Sequence, residues 1–98
     1  MNITDLFNLG NKYQQEGRVD MAVEMWKECE KIDSFFGPAH INLYNIYRSQ
    51  NNITQAKEQL VRFLNCPVTG YTLDIIPKIK QELAEIEKQL NPQPQPAK

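Results

Sequence analysis

Asn8-Leu9-Gly10-Asn11-Lys12-Tyr13 is followed, 34 residues further along, by Asn42-Leu43-Tyr44-Asn45-Ile46-Tyr47. Four of the six positions are identical. The match extends outward at the same offset: Ala22 falls on Ala56 and Glu24 on Glu58. Phe7 with Ile41, Val19 with Ile53, Asp20 with Thr54 and Trp26 with Leu60 pair by type. Six identities over about thirty compared positions is several times the roughly one in fifteen that average residue usage gives. A fixed period in this range marks a repeat whose single unit cannot bury its apolar face alone.

Each copy divides into two helices. Leu6, Leu9, Gly10 and Tyr13 recur at three- and four-residue steps, as do Ala22, Trp26 and Cys29. Both sets describe one face of a helix. Gly17 separates them and suits the left-handed conformation that ends a helix. Asn51, a residue that tolerates that conformation, takes its place in the second copy. Asp20 and Thr54 are expected to cap the helices that follow. Leu43, Tyr44 and Tyr47, then Ala56, Leu60 and Phe63, form the two faces of the second copy. Ala22 and Ala56 are small where the paired helices come closest, and Trp26 and Leu60 fill the space one turn on.

A turn over Asn65–Gly70 leads to a fifth helix from about Asp74 to Leu90. Pro77 in its first turn does no harm, because that N–H has no intrahelical acceptor. Ile76, Ile79, Leu83, Ile86 and Leu90 follow a 3-4-3-4 spacing, with Lys78, Glu82, Glu85 and Lys88 opposite. A helix apolar on one side and polar on the other suits the end of a repeat array. The same spacing serves a coiled-coil seam, so Ile79, Leu83, Ile86 and Leu90 are also candidate self-association residues. Residues 91–98, with prolines at 92, 94 and 96, are expected as a disordered, polyproline-like tail. Met1 and this tail are what the two ends of an intact chain would look like.

Composition narrows the function. Eleven Lys and Arg against twelve Asp and Glu give a net charge of -1 over 98 residues. Such a chain lacks the basic excess that a phosphate backbone attracts, so no nucleic acid is expected as a partner. Mean hydropathy is -0.57, and no apolar run reaches the roughly 18 to 20 residues of a membrane helix. No membrane partner is expected. Two cysteines, Cys29 and Cys66, are too few for a disulfide-stapled secreted domain, and the N-terminus has no basic and apolar leader. A cytoplasmic location with free thiols is the expectation. There is no Gly-rich phosphate loop, no Ser/Cys–His–Asp constellation and no His/Cys set at metal spacing. No catalysis, cofactor or metal is expected. His40, the single histidine, should be packed; Cys29 should be buried and inert, and Cys66 more exposed. Glu28 with Glu30, and Glu85 with Glu87, should lie on solvated faces. Phe35–Phe36 should plug the junction between copies, with one ring left exposed.

The repeated residues resemble the tetratricopeptide repeat (TPR) over about residues 3–70. Leu6, Leu9–Gly10, Tyr13, Gly17, Ala22, Trp26 and Cys29 fill its pattern in the first copy. His40, Leu43–Tyr44, Tyr47, Asn51, Ala56, Leu60 and Phe63 fill it in the second. Tyr44 and Phe63 stand where the family prefers small residues, which implies a more open second pair. Ser34 and Val68 stand where it has a proline. The resemblance implies an all-α, right-handed α-solenoid: repeat 1 over about 3–36, repeat 2 over about 37–70, and a capping helix over about 74–90. Together these make a single domain over 1–90. It further implies a groove lined by the first helix of each pair. Carried over residue by residue, the groove positions are Phe7, Asn8 and Asn11, with Gln14 or Gln15, and then Ile41, Asn42, Asn45 and Arg48. The implied function is a non-catalytic binding module, or adaptor, for a peptide or helix of a partner protein. The family's clamp for carboxylate tails is not expected. Asn11 and Asn42 match it, but Phe7, Thr72 and Ile76 stand near its basic slots. The rival reading is a structural protein that self-assembles or docks through the last helix. The chain is expected to be a monomer or a weak homodimer.

Overall fold

The computed structural model describes residues 2–67 and 73–90. Among them are five α-helices and no strand, so the class is all-α. The helices are α1 (Ile3–Gln15), α2 (Val19–Ile32), α3 (Gly37–Ser49), α4 (Ile53–Leu64) and α5 (Ile76–Leu90). Ile3 and Gly37, and likewise Val19 and Ile53, begin their helices 34 positions apart. The expected tail and part of the turn after α4 lie outside the described residues. None of the described helices is long and apolar enough to cross a membrane.

The turns inside the two pairs are built alike. Gly17 has φ +78° and Asn51 φ +59°. The Gly17 N–H donates to the Gln14 carbonyl at 3.0 Å and the Arg18 N–H to that of Tyr13 at 2.8 Å. Asn51 donates to Arg48 at 3.0 Å and Asn52 to Tyr47 at 2.8 Å. These crossed bonds satisfy the last carbonyls of α1 and α3. They also correct the expected caps. The residue that closes the turn also takes the N-cap position of the next helix: Arg18 before α2, without a side-chain hydrogen bond to the helix, and Asn52 before α4. The Asn52 side chain accepts from the Gln55 N–H. Asp20 lies within the first turn of α2, where its charge still complements the helix dipole, and Thr54 holds the same place in α4.

Each helix packs on its neighbours in the chain: α1 on α2, α2 on α3, α3 on α4, α4 on α5. Ala22, Trp26, Cys29, Leu43, Ala56, Leu60 and Ile86 are wholly buried. Two glycines explain how large residues fit. A Cβ on Gly10 would stand 2.5 Å from Trp26 Nε1, and a Cβ on Gly37 3.1 Å from the Phe63 ring. The copies therefore exchange bulk between facing helices. Ile3 faces small Cys29 in the first, whereas Gly37 faces Phe63 in the second; the Cys29 thiol reaches the Ile3 carbonyl at 3.6 Å. The second pair makes room for Phe63 with a glycine on the opposite helix.

On α5, Ile79 and Ile86 are buried, and Leu83 and Leu90 pack half-buried against the same core. Lys57 of α4 meets Glu87 of α5 at 3.7 Å on the rim.

Candidate functional site

The groove positions fall on α1 and α3, and side-chain contacts link α1 to α3 and α3 to α5. Phe7 is half-buried, its ring edge-to-face with Phe36 at 5.4 Å between centroids. Phe36 thus packs at the junction and Phe35, next to it, is 57% exposed. Asn42 Nδ2 donates to Asn11 Oδ1 at 3.0 Å across the two helices. That bond leaves the Asn11 NH2 as a donor and the Asn42 oxygen as an acceptor for water or a ligand. Asn8 and Asn45 flank the pair, both exposed.

Ile41 and Asn45 join Tyr44, Ile75, Lys78, Ile79 and Glu82 around a cavity of about 180 Å3 between α3 and α5. A second cavity, bounded by Arg48, Lys78, Gln81, Glu82 and Glu85, shares Lys78 and Glu82 with the first. Between them runs a strut. Tyr44 Oη donates to Glu82 Oε1 at 2.7 Å and accepts from Arg48 Nη1 at 3.3 Å. Burial, and then the carboxylate acceptor, push the Tyr44 hydroxyl up to about 12, so it remains a donor at neutral pH. Arg48 is engaged in this strut as well as facing the cavity.

The contribution of α5 to this face escaped the sequence reading, which put Lys78 and Glu82 on a solvated side. The signal was Tyr44 itself: a phenol on an otherwise apolar face needs a polar partner, and Glu82 supplies it.

His40 is packed, at 1% exposure, yet its surroundings are polar. Nδ1 lies 2.9 Å from Gln59 Oε1 and Nε2 2.7 Å from the Ser34 carbonyl. Glu30 does not share a solvated face with Glu28. Its side chain is 12% exposed, 3.3 Å from His40 Nδ1 and 2.6 Å from Arg62 Nη1. Burial opposes its charge, but hydrogen bonds from His40 and Arg62 hold its carboxyl below the usual range. Cys29 is buried and Cys66 half-buried, both free. Burial pushes both thiols up, which disfavours the reactive thiolate. Among the described residues, no three His, Cys, Asp or Glu side chains gather where a metal ion could be held.

Comparison with protein-family models, with curated proteins and with solved structures finds no match to this chain. What the face can do follows from its own chemistry. Amides that both donate and accept, set beside half-buried apolar side chains, suit a polypeptide backbone with an apolar side chain projecting from it.

Proposed function

We propose that the chain is a two-repeat, TPR-like, right-handed α-solenoid capped by α5, and that it binds a peptide or helix of a partner protein in its concave groove. The binding residues are Phe7, Asn8, Asn11, Ile41, Asn42, Asn45 and Arg48, and no chemistry accompanies the binding. The observation that carries this reading is the row Asn8, Asn11–Asn42, Asn45, which runs between Phe7 and the α3/α5 cavity. The paired amides are pre-positioned by their own hydrogen bond, so a ligand meets a donor and an acceptor already held in place, at little ordering cost. Free thiols are consistent with a reducing cytoplasm as the site of action.

The test does not require the natural partner. Peptides selected from a display library against the pure chain would be titrated by fluorescence anisotropy and mapped by amide chemical shifts. Shifts centred on residues 7–11 and 41–48 are expected, with Kd weakened about tenfold or more by Asn11→Ala plus Asn42→Ala at unchanged helicity. Shifts confined to α2 and α4, or an unchanged Kd, would overturn the groove. A dimer in sedimentation equilibrium that Leu83→Asp dissolves would put self-assembly in its place. Such a seam would run over the half-buried Leu83 and Leu90, since Ile79 and Ile86 are 5% and 0% exposed within the chain.

A further inference from the structure

His40 stands in the first turn of α3, where the two helix pairs join. Each ring nitrogen faces an oxygen: Nε2 the Ser34 carbonyl, Nδ1 the Gln59 side-chain carbonyl, with Glu30 Oε2 close behind. A neutral imidazole offers one donor and one acceptor. Set between two oxygens, either tautomer leaves a nitrogen lone pair against an oxygen lone pair, and the backbone carbonyl of Ser34 cannot become a donor. With the Gln59 oxygen toward the ring, only the imidazolium, with two N–H groups, satisfies both sides. Its three partners come from three places: Glu30 from α2, Ser34 from the α2–α3 turn and Gln59 from α4.

We propose that His40 is a proton-held joint between the two helix pairs: as an imidazolium it binds α2, the turn and α4 together, and loss of one ring proton loosens that junction. The charged groups around it are few. Glu30 faces it from α2, and Lys27 and Lys31 of α2 border the next cavity along. Arg62 of α4 holds Glu30 and is itself shared with Glu58. Asp33, on the turn, is exposed and accepts from the Phe35 N–H. Because Arg62 stays on Glu30 after His40 discharges, the junction loosens without leaving that carboxylate bare. A cavity of about 240 Å3 lined by Glu30, Ser34, Phe35, His40, Arg62 and Asn65 lies beside the ring and gives protons a way in and out.

The electrostatics agree in direction. Burial disfavours the charged ring, but Glu30, Ser34 and Gln59 outweigh it and raise the imidazole above its ordinary value. A raised folded value means that the contribution is complete below about 6.5, the ordinary value, and is lost as pH rises through the folded one. The joint is firm in mild acid and opens toward alkaline pH. This holds whether or not the groove takes a peptide.

One histidine in the chain gives one imidazole Cε1–H signal. The full chain would be titrated by NMR from about pH 5 to 10, a range that brackets the ordinary imidazole value. The expected midpoint lies above that value, and the backbone amides of residues 33–40 move with the same midpoint while those of α5 do not. Glu30→Gln is expected to lower the midpoint by about one pH unit, a tenfold change, and Gln59→Glu to raise it. A wild-type midpoint at or below the ordinary value, as a turned Gln59 amide donating to a neutral ring would give, overturns the proposal. So does a ring that titrates while the amides of residues 33–40 stay still. The wild-type titration decides even where a variant does not fold.

Discussion

Gly10 lies so close to Trp26 that a single added methyl has nowhere to go. A Cβ would stand 2.5 Å from the indole nitrogen and 2.8 Å from the adjacent ring carbon, and the ring is wholly buried. Overpacking of this kind costs about 1–3 kcal/mol, while alanine regains up to about 1 kcal/mol of helix propensity. Gly10→Ala should therefore lose about 1–2 kcal/mol in urea unfolding. Gly17 is a different case. Nothing lies within 4 Å of its absent Cβ, so only its φ of +78° matters. Gly17→Ala should cost about 1 kcal/mol and Gly17→Asn clearly less, because Asn51 already bears φ +59° at the matching turn. Equal losses for the two variants would show that backbone handedness is not what the position demands. The glycine and asparagine at these turns were legible in the sequence, since left-handed φ selects residue type directly. The reason for Gly10 was not. It depends on which ring lies opposite, and a one-dimensional pattern does not say.

α5 shows the same divide at the scale of an element. Its apolar spacing announced one buried face, but spacing is identical for a helix that caps a core and one that pairs with a copy of itself. What separates them is depth of packing, and Ile79 and Ile86 are buried within this chain. Ile86→Ala should lower stability by roughly 2–5 kcal/mol, the range for deleting a large side chain from a closed core. The half-buried Leu83 should cost less than Ile86 when changed to Ala, and a larger loss at Leu83 would contradict the packing described. The strut from Tyr44 to Glu82 belongs to the same element. It fixes α5 against α3 by a hydrogen bond to a charged acceptor, at 2.7 Å. Tyr44→Phe removes it and leaves Glu82 near the rim, where water replaces the phenol. The loss is expected to be about 1–2 kcal/mol in thermal unfolding.

In the whole molecule, repetition made the first four helices legible, because a 34-residue period constrains each of them twice. The polar junction was not legible. Glu30, His40, Gln59 and Arg62 lie far apart in the chain, and each reads singly as a surface acid, a core filler, an amide or a surface base. Packing puts them together, and their coupling sets how stability depends on pH. Glu30 is held below its ordinary value against the opposing effect of burial, so its contribution is complete above about 4.3 and is lost as pH falls through the folded value. His40 is raised, so its contribution is complete below about 6.5 and is lost as pH rises through its own folded value. The two losses lie on opposite sides. Thermal unfolding midpoints measured across pH should therefore form a plateau between about 4.3 and 6.5 and decline beyond each end. Glu30→Gln removes the common member of both pairs, so it should lower the plateau and flatten both limbs together. If it flattens the acid limb alone, His40 draws its charge from elsewhere and the coupling is wrong. The pair is largely shielded from solvent, with side chains 1% and 12% exposed, so added salt should change the shape of the plateau little.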